Sequence, residues 1–563
     1  MSAPATLFTN AKIFLSGVEP GTNAGLHRAP TFASCMLIRG SEIAHVGSAS
    51  DAPVADALSD TTTSSSTTSS VVVHDLQGKT ILPGFVDGHM HLMLLGQALA
   101  KLDLGGCRTL ADIQETIRSY AAAHPHAPRI LCRGWMHSMT PDGARASDLD
   151  GLAVVEGRDR PVLVDSKDLH STWCNTAGIA ELGAERWADV PGGVIERDTR
   201  GRLTGVFSEA ANITYVWPYL GKVASMQARM AAIEAAVAAY HRAGYTGLID
   251  MAMDEGAWEA LQALRREKGG KGVPMRIAAY WLVKPLETEE ETLRQVERAV
   301  ELAREFSAET APDCRVVGIK VICDGIVDAC TAGLSEPYAH NGHVEVPLWT
   351  AEQLAPVVKR ADEAGLQVAL HAIGDATVKM VVDILTRYAR PERRPRVEHL
   401  ELTSEEDAAR LGRGRITASI QPVHADPAIL KAWPRLLGEH RCGRAFAYRD
   451  FADLGAPLAL GSDAPTAPHA PLGNIYVGTT RRSYRDPALE TTVNPHFALG
   501  LCEAVAAATE GAAYSCFDED RIGVLKKGHK ADFVVVDMEW EKEKLMQATV
   551  TETWFDGTKV WSA

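Results

Sequence analysis

Two histidines one residue apart close a short apolar run, Gly84-Phe85-Val86-Asp87-Gly88-His89-Met90-His91. In an extended strand, side chains two apart share a face, so His89 and His91 can present two imidazole nitrogens to one point. Neutral imidazole is the commonest protein ligand for zinc-like metals. Four further residues of metal-competent type stand late in other apolar runs. They are Lys320 in Gly318-Ile319-Lys320-Val321-Ile322, His371 in Leu370-His371-Ala372, His399 in Val397-Glu398-His399-Leu400 and Asp463 in Leu460-Gly461-Ser462-Asp463. An ammonium inside an apolar strand is costly, and desolvation depresses its pKa until a nucleophilic amine is exposed. Such an amine can take up CO2 to become an anionic carbamate able to bridge two metal ions. Singly, each residue also has a plain structural explanation: a lysine paired with Asp324, a hydrogen-bonded core histidine, an aspartate capping a turn.

The runs that carry these residues are the elements that must position them. After the opening strand, apolar segments recur at 244–253, 275–283, 316–324, 367–375, 396–402, 415–424 and 458–463. Helical periodicity fills gaps between them, as at 228–240, 293–306, 351–364 and 378–388. Eight strands alternating with helices predict an α/β fold, a (β/α)8 TIM barrel of the metal-dependent hydrolase type. Chemistry in that architecture sits at the C-terminal ends of the strands. His89, His91, Lys320, His371, His399 and Asp463 all fall there. Six unrelated structural explanations account poorly for one shared location; a metal site accounts for it directly.

With 563 residues the chain exceeds one ordinary core, so a large domain with smaller companions is expected. Strand-like segments at 6–16, 33–47 and 71–76, and again at 531–537, 550–555 and 558–561, are too few at either end for a stable sheet. Together they predict a small composite β-sandwich from residues 1–80 and 510–563, with the barrel at 81–509. The run 61–70 holds only Ser and Thr, cannot bury apolar surface and is expected as a mobile loop. The stretch 101–225, between the first two barrel strands, is far longer than a normal crossover. We read it as an inserted lid that shapes the substrate pocket, with an independently packed decoration as the alternative. Trp135, His137, His170, Trp173 and Trp217 give it a high aromatic and imidazole content.

Bulk properties narrow the class. Lys+Arg 57 against Asp+Glu 72 leaves a formal charge of −15, which argues against nucleic acid or an anionic membrane as partner. The ten cysteines contain no C-x-x-C pair. The start lacks a signal-peptide pattern, and no apolar run approaches the length of a membrane span. A cytoplasmic, reduced enzyme is the expectation.

Several phrases carry a resemblance: G-F-V-D-G-H-M-H at 84–91, D-L-H-S-T-W-C-N at 168–175, L-H-A-I-G-D at 370–375, V-E-H-L at 397–400, Q-P-V-H at 421–424 and G-S-D-A-P at 461–465. The set, which spans nearly the whole chain, resembles the amidohydrolase superfamily. Within it the wording is closest to amidohydrolase family three, the group that includes N-substituted formamide deformylases. That resemblance implies that His89 and His91 bind the more buried metal and that Lys320, as a carbamate, bridges two ions. His371 and His399 would bind the second ion, while Asp463 touches the first and holds the attacking water. The family's D-G-H phrase in the inserted region reads D-L-H here, which leaves His170 available but alters the local loop.

The implied activity is hydrolysis of a C–N amide-type bond, an N-substituted formamide or similar small amide, with Asp463 as general base and then general acid. Hydrolysis of a cyclic amide, an ester or a deaminable ring, or decarboxylation on the same barrel, are the alternatives. Expected substrate contacts are His170, Trp173, Asp324 and His424, with Asp324 favoured as an anchor for its own loop. The expected cofactor is a divalent metal, zinc first, one or two ions per subunit, with a CO2-derived carbamate on Lys320. The expected partner is a small-molecule substrate, and a homodimer is plausible.

Overall fold

In the computed structural model, which describes residues 5–15, 29–63, 71–167, 171–190, 193–209, 211–269 and 272–563, eight parallel strands follow one another in chain order. They are β1 (Phe85–Met90), β2 (Tyr245–Met253), β3 (Arg276–Val283), β4 (Cys314–Ile322), β5 (Gln367–Ala372), β6 (Arg396–His399), β7 (Thr417–Ile420) and β8 (Leu458–Leu460). Each pairs with its chain neighbour from β1 to β8. The last strand returns to the first, where Asp463 N donates to His89 O at 2.7 Å. This is the expected α/β barrel, nearly closed.

The seam between β8 and β1 explains the glycines of two motifs. A Cβ on Gly88 would lie 2.6 Å from Leu460 O, and one on Gly461 would lie 2.5 Å from His89 N. Both backbones approach too closely for any side chain. Asp87, 1% exposed, ties the seam: its carboxylate accepts from Ser462 N at 2.8 Å, Ser462 Oγ at 2.6 Å and the Tyr240 hydroxyl at 2.8 Å. Burial pushes its pKa up to about 6, with those donors opposing.

Several strands end earlier than their apolar runs suggest. β6 stops at His399, β7 at Ile420 and β8 at Leu460. At β6 the reason is backbone geometry: His399 (φ 76°), still paired with Ala372, and Leu400 (φ 55°) lie in the left-handed region, which turns the chain out of the ladder, and Asp463 (φ 56°), past the end of β8, lies there too. Below these ends the barrel is plugged by Val86, Ile249, Ala278, Tyr280 and Ala369, packed with Ala512, Ala513, Cys516 and Ile522. The segment from 510 onward thus begins as a helix, Glu510–Ser515, contributing to the barrel floor before any strand forms.

The molecule divides into two compact units. The first combines Met1–Leu92, Val237–Asp254 and Leu264–Ala563, and so holds the barrel and both chain ends. Ala5–Thr9, Cys35–Arg39, Glu42–Gly47 and Val72–Asp75 make a four-stranded sheet. A six-stranded sheet mixes both ends, pairing Ile81 with Val535 in antiparallel register. Phe8, Met36 and Ile38 of the first sheet meet Ile13, Ile81, Phe533 and Trp554 of the second, the β-sandwich expected. Thr61–Thr63 end a helix, Ala52–Thr63, rather than open a loop; the rest of the Ser/Thr run, 64–70, lies outside the described residues.

The second unit, Met93–Ala236 with Glu255–Ala263, is built on its own six-stranded sheet. Trp135 and Trp173, both 0% exposed, pack with ring centroids 5.3 Å apart in its core. Arg160 seals the end of helix Leu110–Ala123 by donating to the carbonyls of Ala121, His124 and Ala127. All ten cysteines are free thiols, and no helix among the described residues is long and apolar enough to cross a membrane.

One buried cation joins the base of the barrel to the C-terminal strands. Arg276, 3% exposed, donates Nε to Asp532 at 2.7 Å and Nη2 to Asp556 at 2.7 Å, and Nη1 pairs with Asp313. Replacing Arg276 by Met leaves Asp532 buried without its counter-charge. The variant is expected to lose about 3–5 kcal/mol of unfolding free energy, measured by denaturant titration.

Candidate metal centre

His89 is held from behind. Its Nδ1 lies 2.7 Å from Glu398 Oε2, and both side chains are fully enclosed. A carboxylate on Nδ1 fixes the proton there and leaves the Nε2 lone pair facing outward, as metal-binding histidines require. Glu398 is itself gripped by Arg396, whose Nε donates to Oε1 at 2.8 Å and whose Nη2 donates to Oε2 at 3.2 Å. The remaining Arg396 donors reach Gly88 O at 2.7 Å, Ser419 Oγ at 3.0 Å and Ser515 Oγ at 2.9 Å. Burial favours a protonated Glu398, but the guanidinium and then the His89 ring outweigh it and hold the carboxyl well below the usual range. Burial, reinforced by the nearby Lys320 charge, lowers His89 to about 4, so the ring is neutral at pH 7.

Around that nitrogen a set of ligand atoms converges. His89, His399 and Asp463 offer atoms that all lie within 4.8 Å of one another. Asp463 Oδ1 stands 3.0 Å from His91 Nε2 and 3.4 Å from His89 Nε2. It has no hydrogen-bond partner among the described residues, and neither have the buried atoms His399 Nδ1 and His371 Nε2. Buried polar atoms left unpaired are costly. A divalent cation would satisfy several at once, and a nitrogen-and-carboxylate donor set suits zinc or its neighbours. The residues fit such an ion. Burial works against an ionised Asp463, yet the imidazoles of His91, His89 and His399 keep it anionic well below the ordinary value.

The left-handed residues at the strand ends build this convergence. Arg396 and Glu398 alternate into the barrel, so His399 in a regular strand would face away. Its positive φ turns it back, bringing its ring to 4.8 Å from His89 and 4.3 Å from His371, centroid to centroid. Lys320 is 1% exposed in β4; burial lowers its pKa to about 8, with the charges of Glu398 and Asp463 opposing. It therefore stands within electrostatic reach of His89 and His371.

One expected substrate contact, Trp173, is corrected, and Asp324 has the contacts of the loop anchor favoured for it. Asp324 accepts from Ile373 N at 3.0 Å, Gly374 N at 2.9 Å and Gly333 N at 3.0 Å, which makes it the anchor of its loop rather than a substrate contact. Trp173 is wholly enclosed in the core of the second unit, its indole donating to Arg145 O at 3.0 Å, and has no face left for a ligand. His170 lies outside the described residues.

His424 does belong here, and it comes with a residue that sequence reasoning missed. Glu401 Oε1 lies 3.1 Å from His424 Nδ1, while His424 Nε2 lies 3.5 Å from Asp463 Oδ2. The His424 ring is parallel to His399 at 5.8 Å. Burial alone would depress His424, but the hydrogen bond and charge of Glu401 raise it above the ordinary histidine value. Arg396 and Glu398 were missed too. The signal was present: opposite charges two apart in an apolar strand share its inner face. Gln421, 1% exposed, has both amide atoms without a partner among the described residues; nothing in its own type announces that.

Comparison with known proteins agrees with this geometry. The family model described as "Amidohydrolase family" matches residues 72–561. The chain is 28% identical over 471 residues to the putative amidohydrolase YtcJ of Bacillus subtilis (strain 168), covering 82% of this chain and 84% of that one. It is 23% identical over 552 residues to the N-substituted formamide deformylase of Arthrobacter pascens, covering 93% and 94%. Among solved structures, an uncharacterized metal-dependent hydrolase from Pyrococcus horikoshii OT3 shares the fold, with a TM-score of 0.75 at 22% identity over 95% of this chain and 98% of that one.

If Glu398 orients and strengthens His89, Glu398→Gln should lower divalent-cation affinity about 10- to 100-fold. Titration against a competing chelator measures this, and unchanged affinity would separate the Arg396–Glu398 pair from the metal centre.

Proposed function

The chain belongs to the amidohydrolase family, hydrolases of carbon–nitrogen bonds other than peptide bonds, and on that premise we propose that it cleaves a small acyclic amide, most simply an N-substituted formamide, to formate and an amine. The relative named for that reaction, aligned over almost the full length of both chains, supports the choice of substrate. The observation that carries the reading is the convergence of His89, His399 and Asp463 on one point, with Asp463 Oδ1 unpaired beside them. In this proposal His89, His91 and Asp463 hold the more buried ion, and His371 and His399 hold a second. Lys320, if carboxylated by CO2, would supply a further oxygen donor to them. Zinc is the proposed metal. Bound there, a divalent cation supplies Lewis acidity, which polarises the amide carbonyl and acidifies water.

The chain's own groups handle the protons. Asp463 is kept anionic and takes a proton from the attacking water. Thr466 Oγ1 donates to Asp463 Oδ2 at 2.9 Å and steadies that oxygen. His424, biased toward its protonated form by Glu401, donates to the carbonyl oxygen as negative charge builds on it. Collapse breaks the C–N bond, and the proton held by Asp463 passes to the departing amine. Water and amide become formic acid and amine with no other reactant.

Asp463→Asn should lower kcat by about 10³-fold or more, read as formate and amine released from N-benzylformamide. Near-normal turnover in that variant would remove Asp463 from the chemistry. Lysine captures CO2 only as the free amine, a form that Lys320 gains as the pH rises past about 8. Metal-free protein given zinc at a fixed concentration of dissolved CO2 should therefore recover activity faster than without CO2, and more so above that pH than below it. Full zinc loading and activity in Lys320→Ala would eliminate the carbamate.

A further inference from the structure

Glu401 and His424 have a third companion in His399. Donor atoms of the three side chains all lie within 4.8 Å of one another, and among the described residues only this group and the His89–His399–Asp463 group converge in that way. Other histidine–carboxylate pairs exist, at His45–Asp51, His74–Glu552, His343–Glu345 and His440–Glu336. None of them gathers a third donor among the described residues.

The backbone holds the three in place before any ion arrives. Glu401 O accepts from Phe446 N at 2.8 Å, and the next residue, Leu402, bridges to Ala445. His424 sits in the short helix Pro422–Ala425, where its own N donates to Gln421 O at 2.9 Å and Val423 N donates to Asn474 Oδ1 at 2.9 Å. His399 is fixed by its pairing with Ala372. Glu401 and His399 are 7% and 4% exposed, whereas the His424 side chain keeps 17% exposure and opens the group to solvent. Two imidazoles and one carboxylate are a three-ligand zinc set with a position left for water. Negative charge surrounds it: Asp328 and Asp463 both lie within electrostatic reach of Glu401, against the positive charge of Arg485, which acts on His424.

We propose that Glu401, His424 and His399 form a further zinc site, weaker than the His89–Asp463 centre, and that filling it stops turnover. Its weakness follows from what the ion displaces. Glu401 Oε1 and His424 Nδ1 share a hydrogen bond of 3.1 Å that an ion must replace, and His399 is common to both groups. The centre has donors of its own in His89, His91, His371 and Asp463, so the ion here is an additional one, taken up when zinc is in excess. Inhibition follows from the same contacts. A cation on His424 stands in place of the proton that the ring would give to the carbonyl oxygen, and it draws Glu401 away from that ring. The inhibition, unlike the binding, rests on the amide-hydrolysis reading, in which His424 is a proton donor.

Zinc-loaded enzyme dialysed against rising free zinc should take up one further ion per chain, and zinc-edge anomalous diffraction should place it against Glu401 and His424. Release of formate from N-benzylformamide should fall as that ion binds, with the same midpoint, and return when a weak chelator removes it. Glu401→Gln keeps the shape of the side chain and an acceptor for His424 but removes the charge. It should weaken the further uptake at least about tenfold, since losing a ligand costs no less than losing a group that orients one, and leave the tight ions in place, with melting temperature as the folding control. No further ion at millimolar zinc, or uptake unchanged in Glu401→Gln as binding at a surface pair such as His343–Glu345 gives, overturns the site. Anomalous density elsewhere and none at Glu401 in the wild type overturns it without recourse to a variant. Uptake at Glu401 with formate release undiminished overturns the inhibition. An enzyme inert toward formamides that still takes up the ion through Glu401 overturns the substrate reading and keeps the site.

Discussion

The buried pair Arg396–Glu398 is the constraint on which the site depends. Two charges at 0% exposure in the middle of a barrel are costly unless hydrogen-bonded, and here each guanidinium nitrogen and both carboxylate oxygens have a partner. The guanidinium spans four elements: its own strand β6, the β1 backbone at Gly88, β7 at Ser419 and the floor helix at Ser515. Glu398 Oε2, held from one side by Arg396 Nη2, faces His89 on the other. The barrel's polar core and the orientation of its first histidine are thus one hydrogen-bonded object. Displacing any member leaves an uncompensated charge where water cannot reach.

Above that layer the strands stop obeying strand geometry. His399 and Asp463 occupy left-handed backbone, a conformation that costs of order 1–3 kcal/mol for such residues. The return is placement: side chains that regular alternation would send outward turn into the mouth. The same neighbourhood sorts proton affinities by environment. Glu398 and Asp463 remain anionic beside cationic or imidazole neighbours, burial keeps His89 and His371 neutral, and Glu401 lifts His424. Groups that would hold a metal and groups that would carry protons are thereby separated within a few ångströms.

The barrel and the six metal-competent residues were legible because both leave local marks. Apolar runs separated by helical periods announce β1 to β8, and a histidine, lysine or carboxylate late in five of those runs is visible without any contact information. Gly88 and Gly461 were legible as parts of motifs, though their reason, two backbones in contact across the seam, appears only in three dimensions. What escaped was relational. Trp173 looked like a pocket aromatic because Trp is suited to that role, yet it fills the core of the second unit. Glu401 was passed over, since its partner His424 lies on another loop. Asp324, favoured from sequence as an anchor for its loop, holds three backbone N–H groups on its carboxylate.

The seam has a consequence for how this molecule comes into being. Asp87 and Ser462, whose bonds close the barrel, are 375 residues apart, and Asp463 meets His89 across the same join. Contacts of such span form late, because the loop entropy of nearly the whole barrel must be lost before they reward it. On a chain emerging from its N-terminus, His89 and His91 are present early but have no carboxylate opposite them. An ion held by His89, His91 and Asp463 would therefore be captured only once the circle has closed, and a chain that stalls before β8 carries the two histidines without the carboxylate opposite them.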